Sequence, residues 1–213
     1  LPLYQPNDAL GPVPSPPTRA EAGLPDDAFV FCCFNNPAKI TPDVFAAWMA
    51  ILKATPDSVL WLYAGAPGAA ENLRAHAAKA GIAPERLVFA SPAPHDLHLA
   101  RHALADLVLD TWPYGAHTTA SDALRMGVPL LTLPGESFAS RVGASLLTAL
   151  DLPELIADTK ATYVARAMAL AEDRPALGAL KARLAQAIHT SKVFDPTAFA
   201  RSLEAAFEGM AKR

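Results

Sequence analysis

Short apolar runs alternate with amphipathic stretches through the middle of this chain. AFVFCCF (28–34) is continuous and rich in aromatic and branched residues, the pattern of a strand covered on both faces. SVLWLYA (58–64), RLVFA (86–90), ALADLVLD (103–110) and VPLLTL (128–133) repeat it. The stretches between them carry helix signals. Thr41-Pro42-Asp43 supplies a cap residue, a proline for the first helical position and an acid; Phe45, Trp48 or Met49, and Leu52 then share one face, which predicts a helix over 42–54. ENLRAHAAKA (71–80) closes on Gly81, Pro94 opens a helix over about 95–104, TTASDALRM (118–126) stops at Gly127, and an apolar helix is predicted over about 138–149. Strand and helix alternating at this spacing predict an α/β fold with a parallel, doubly wound sheet. After Asp151 the pattern is mostly helical, with Pro175 and Pro196 as breaks and a last amphipathic helix from 196. The expected division is a Pro-rich linker or wrapping arm over 1–26, a compact domain over 27–195 and a C-terminal helix over 196–213.

Composition narrows this picture. Apolar residues make up 52% and charged ones 18%, a composition that forms a core rather than a disordered chain. Seven of the 20 prolines fall within the first 25 residues, and the first residue is Leu1, so the segment reads as a connector from something further upstream. A net charge of −3 argues against a general nucleic-acid binder. No apolar run approaches the roughly 18–20 residues of a membrane span, and no signal peptide is visible, so a cytoplasmic location is expected. Cys32 and Cys33 are neighbours in a strand, where side chains point to opposite faces; they read as buried thiols, not as a disulfide or a metal site.

Ligands of open parallel sheets bind beyond the carboxyl ends of the strands, and the unusual residues collect there. Asn35, Asn36 and Lys39 follow the first strand, Ser91 to Arg101 the third, Asp110 to Asp122 the fourth, and Gly135 to Arg141 the fifth. The stretch DTWPYGAHTTASD (110–122) hands a strand to a helix, leaving the first helical N–H groups without carbonyl partners, an arrangement that attracts anions. Thr118, Thr119 and Asp122 share a face, suited to a phosphate and a ribose hydroxyl or to ordinary capping. Lys39 offers a point charge over the same crevice. His95, His98 and Arg101 recur every three residues, and with His102 and His117 they place four of the six histidines within 23 residues, which fits donors around a base or, less well without a Cys or second ligand pair, a zinc ion. Gly135-Glu136-Ser137-Phe138-Ala139 resembles a hydrolase nucleophile elbow, with His189 and Asp151 or Asp158 as partners. There is no GxGxxG, no P-loop and no Asp-x-Asp pair, so a metal-free site is expected.

FCCFNNPAKITPDVFAAWMAILKATPDSVLWLY, then FASPAPHDLHLARHALADLVLDTWPYGAHTTASDAL, then GVPLLTLPGESFASRVGASLLTAL together resemble the carboxyl-terminal catalytic half of the O-GlcNAc transferase family, in a bacterial version, over roughly residues 28–200. The resemblance implies a GT-B glycosyltransferase with two Rossmann-like lobes, of which 27–195 would be the nucleotide-sugar-binding one. The reaction implied is inverting transfer of N-acetylglucosamine from UDP-GlcNAc to Ser or Thr hydroxyls of a protein, without a metal or other cofactor. Lys39 would be the catalytic charge on the diphosphate, with Asn36 where the family usually has Gln. Ala93, His98 and Arg101 would hold uracil, and His95 would lie at the ribose, where animal members carry Lys. His117, Thr118 and Thr119 would bind the diphosphate and Asp122 the ribose; Gly115-Ala116 replaces the commoner Asn-Gly. The partners implied are a UDP-sugar, a protein or peptide acceptor, and an amino-terminal catalytic lobe with tetratricopeptide repeats in the same or an associated chain, with no nucleic acid and no membrane. A GDP-fucose-dependent O-fucosyltransferase lobe, or a nucleotide-binding module inactive by itself, are the alternatives.

Overall fold

The computed structural model describes residues 11–212, so the first ten residues of the Pro-rich segment lie outside the described residues. Five parallel strands, β1 (Phe29–Cys33), β2 (Ser58–Tyr63), β3 (Leu87–Ala90), β4 (Leu107–Leu109) and β5 (Leu130–Leu131), form one sheet in the order β3-β2-β1-β4-β5. The order reverses direction between β1 and β4. Helices α1 (Pro42–Ala54), α2 (Ala69–Lys79), α3 (His95–Arg101), α4 (Thr118–Arg125), α5 (Val142–Ala149), α6 (Lys160–Glu172), α7 (Arg174–Thr190) and α8 (Pro196–Ala211) complete a Rossmann-like α/β fold. Among the described residues no helix is long and apolar enough to cross a membrane.

The alternation of side chains along each strand divides the core in two. Phe29, Phe31, Cys33, Leu60, Leu62 and Leu107 face α1, α2 and α6, where they meet Trp48, Ala77 and Tyr163. Val30, Cys32, Val59, Trp61 and Val108 face α4, α5 and α7, where they meet Leu124, Leu146 and Leu184. Cys32 and Cys33 therefore lie on opposite faces, both buried and both free, and burial pushes the Cys33 thiol up to about 12. Helix α1 starts as its sequence signals require: Thr41 Oγ1 accepts from Val44 N at 3.3 Å. Val44 rather than Phe45 is its first fully buried side chain, followed by Trp48, Met49, Ile51 and Leu52.

Two boundaries differ from expectation. The apolar look of ALADLVLD suggests a strand from 103, yet residues 102–104 form a 3-10 turn and β4 begins at Leu107. Asp106 is the reason. Its carboxylate accepts from Val30 N at 2.9 Å and pairs with Arg174 at 3.5 Å and Lys181 at 3.3 Å, pinning the chain at the amino edge of the sheet before pairing starts. The predicted helix over 138–149 is split into a 3-10 turn, Phe138–Ser140, and α5, because Ser140 Oγ bonds Ser137 O at 2.7 Å and tightens the first turn. The breaks expected at Pro175 and Pro196 are present: both prolines sit in the first turn of a helix, and Asp173 and Asp195 cap α7 and α8 by accepting from Ala176 N and Ala198 N, each at 2.9 Å.

Candidate functional site

At the carboxyl ends of β1 and β4 the apolar strands hand over to a buried polar cluster. Asp110, 1% exposed, accepts from Thr111 N and Ala116 N, each at 2.7 Å, from Thr132 Oγ1 at 2.7 Å, and from Asn35 Nδ2 at 3.4 Å. Burial raises its pKa, and the bonds from Thr132, Ala116 and Thr111 oppose that shift. Asp110 thereby folds residues 111–116 into a tight loop around its carboxylate. Gly143 closes the same spot from α5: a Cβ there would lie 3.0 Å from Asp110 Oδ2 and 3.1 Å from Thr132 Oγ1. From the other face Tyr163 donates its hydroxyl to Asp110 O at 2.9 Å, and Trp48 Nε1 donates to Tyr163 at 3.3 Å.

The loop carries the candidate anion site. Lys39, on the 3-10 turn Pro37–Lys39, donates to Gly115 O at 2.9 Å with its ammonium 3.9 Å from the centre of the Tyr114 ring. Burial lowers its pKa and the charge of Asp110 works against that lowering. Asn36 is exposed and its Oδ1 caps the turn by accepting from Ala38 N at 2.9 Å. His117 precedes α4 and bonds Ala139 O at 3.1 Å; a carbonyl only accepts, so the proton sits on Nε2. The bonding of α4 begins with Ala120 N and Ser121 N on His117 O, which leaves the N–H groups of Thr118 and Thr119 ahead of the first helical acceptor. Asp122, on the next turn, meets His95 Nε2 at 3.7 Å.

His95 links this cradle to a cavity of about 310 Å³ lined by Phe34, Tyr63, Pro92, Ala93, His95, His98 and Arg101. Arg101 is 6% exposed, donates to Ser91 O at 2.7 Å and to His98 Nδ1, and stacks its guanidinium 4.5 Å from the centre of the Phe34 ring. Since an arginine only donates, His98 Nδ1 is the acceptor and the ring proton sits on Nε2. Burial, then the neighbouring His102 and Arg101, hold the pKa of His98 down at about 3. His102, buried with Nδ1 on His98 O at 2.8 Å, is lowered to about 4, mainly by burial. Both imidazoles have an ordinary value of 6.5. The unfolded chain therefore binds protons near pH 6.5 that the folded one refuses until about pH 3–4, and stability falls as pH falls through that window. The melting temperature is expected to drop between pH 7.5 and 5, and His102→Gln, which keeps a donor but does not titrate, to shrink that drop in thermal unfolding.

The ten residues that the resemblance implies for the nucleotide-sugar site lie on the segments that follow the carboxyl ends of the strands. They divide into a cradle (Asn36, Lys39, His117, Thr118, Thr119, Asp122) and the cavity group (Ala93, His95, His98, Arg101). The hydrolase reading is not brought together. Ser137 follows β5, whereas His189 lines a separate cavity beside Arg125, Met126 and Gly127, which precede β5. Asn35, Asp110 and Thr132 build the floor, and Phe34, Tyr63 and Tyr114 line the site beside the residues expected from the sequence. The available signal was a polar residue set directly against the end of an apolar run.

An open parallel sheet whose carboxyl-end loops gather an ammonium, a helix start and an adjoining cavity belongs to the Rossmann-like ligand-binding class. Residues 14–203 match the model of Glycosyl transferase family 41, and the chain belongs to that family. It is 40% identical over 196 residues to a Caenorhabditis elegans UDP-N-acetylglucosamine–peptide N-acetylglucosaminyltransferase, covering 92% of this chain and 17% of that protein. It is 37% identical over 201 residues to a probable enzyme of the same name from Arabidopsis thaliana, SEC, covering 94% and 20%. In three dimensions it is similar to a Thermobaculum terrenum O-GlcNAc transferase mutant, with a TM-score of 0.83 and 34% identity over 98% of this chain and 39% of that one. The chain thus spans about a fifth of the length of these curated relatives.

Proposed function

We propose that this chain is the donor-binding lobe of a GT-B protein O-GlcNAc transferase. It binds UDP-GlcNAc for inverting transfer of N-acetylglucosamine to Ser or Thr hydroxyls, and a second, amino-terminal lobe with tetratricopeptide repeats, in the same or an associated chain, supplies the acceptor side. The observation that carries this is the anchoring of Lys39 on Gly115 O, in the Asp110-centred loop that leads into α4, beside a cavity of about 310 Å³. In this reading uracil enters between Phe34, Ala93, His98 and Arg101, with Asn36 at the rim of the cradle. Ribose meets His95 and Asp122. The diphosphate lies on the N–H groups of Thr118 and Thr119, with Lys39 and His117 beside it.

Breaking the bond between the sugar and the diphosphate leaves a growing negative charge on UDP. Lys39 and the positive end of α4 are already fixed around that position, so they favour the transition state over the ground state without reorganising. They stand in this reading for the counter-charge that a divalent ion would otherwise bring. Titration calorimetry on this chain tests it: UDP is expected to bind, and GDP to bind at least about tenfold more weakly. Tighter binding of GDP points to a GDP-sugar donor; binding of neither overturns the reading.

A further inference from the structure

Five buried or half-buried polar side chains, Asn35, Asp110, Thr111, Thr119 and Thr132, form one connected network beneath the crevice. Asn35, 3% exposed at the end of β1, is its hub. Its Nδ2 donates to Thr111 Oγ1 at 2.9 Å and to Asp110 Oδ1 at 3.4 Å, and its Oδ1 accepts from Thr119 Oγ1. The amide orientation follows from these partners. A carboxylate only accepts, and Thr111 has committed its hydroxyl proton to Tyr114 O at 2.8 Å, so both must face the NH2 end. What remains for Thr119 is the amide oxygen, to which it must donate. Its one hydroxyl proton is thereby spent inside the protein, and a phosphate oxygen, which accepts, receives only the backbone N–H of Thr119.

We infer that Asn35 is a positioning residue for the diphosphate cradle, and this rests on the UDP reading above. It ties the first turn of α4 to the end of β1 and to the loop 111–116 on which Lys39 is anchored, so the helix N–H groups and the ammonium hold one spacing. Without it, Asp110, Thr111 and Thr119 each lose a partner, and the start of α4 is released relative to Lys39. The cavity lined by Phe34, Ala93, His98 and Arg101 uses none of these bonds. The inference therefore separates two parts of one ligand: the diphosphate depends on Asn35 directly, and the nucleoside only through Asp122, further along α4.

Titration calorimetry with UDP and with uridine on the wild type, Asn35→Ala, Thr119→Val and the double variant tests this. Each single change is expected to weaken UDP about tenfold and uridine less than about twofold, and the double variant to lose no more than the worse single, since amide and hydroxyl act through one bond. Parallel losses for UDP and uridine, or losses that multiply in the double variant, overturn the inference. Should Asn35→Ala not fold, Thr119→Val alone breaks the bond between Asn35 and α4 and carries the same expectation. Failure of the wild type to bind UDP is a separate result, and it counts against the donor-lobe reading instead.

Discussion

Lys39→Ala is expected to weaken UDP binding by about tenfold to a hundredfold while uridine binds as before. A hydrogen bond to a charged group is worth roughly 1.5–3 kcal/mol, which converts to that range of affinity. The ammonium is partly desolvated and held by Gly115 O and the Tyr114 ring, so a diphosphate recruits it without first ordering a long side chain. Its pKa is lowered by burial and supported by Asp110, which leaves a cation well suited to a dianionic partner. Lys39→Arg is expected to recover only part of the loss, because a guanidinium stacked on Tyr114 directs its N–H groups within its own plane, away from the geometry the ammonium uses to reach Gly115 O. Calorimetry with both ligands reads the outcome. Equal loss for UDP and uridine would mean that Lys39 holds the loop together rather than the phosphate, and an unchanged UDP affinity would remove it from the site.

The sequence pattern carried the architecture because the strands are buried on both faces and short. FVFCC, SVLWLY and LVFA announce themselves as apolar runs, and Gly81 and Gly127, at φ +81° and +75°, end their helices where the pattern places them. It failed where one polar contact overrides an apolar run. Nothing local in Ala103–Leu104 shows that Asp106 will capture Val30 N from 76 residues away and delay the strand. The candidate site divides in the same way. Residues facing the crevice, such as Lys39, His117 and Asp122, are legible because ammonium, imidazole and carboxylate groups are unusual at strand ends. The floor that sets their spacing is a set of long-range bonds, Asn35 to Thr119 and Asp110 to Thr132 among them, which no spacing rule reveals. The GT-B resemblance named a ligand but did not say how Thr119 spends its proton; that took the partners of Asn35.

The largest loss of stability is expected from Trp48→Ala. Trp48 is fully buried between α1 and the sheet, and deleting a buried aromatic ring costs roughly 3–5 kcal/mol through lost transfer energy and the cavity left behind. For a domain with about 5–15 kcal/mol in hand, that is roughly a fifth or more of its stability, and at roughly 2–4 °C per kcal/mol the melting temperature should fall by about 10 °C. The effect also reaches the site. Trp48 Nε1 donates to Tyr163, whose hydroxyl donates to Asp110 O and whose ring packs edge-on against Trp112 at 5.0 Å, so α1 and α6 support the floor of the cradle through one chain of contacts. Trp48→Phe keeps most of the ring volume while losing the indole donor, so it helps separate packing from that polar chain. Thermal unfolding of the two variants decides: a fall for Trp48→Phe within about 1–2 kcal/mol of the wild type assigns the larger loss to packing. Equal losses would assign it to the bond onto Tyr163, and would make the Trp48–Tyr163–Asp110 chain the element that couples the core to the crevice.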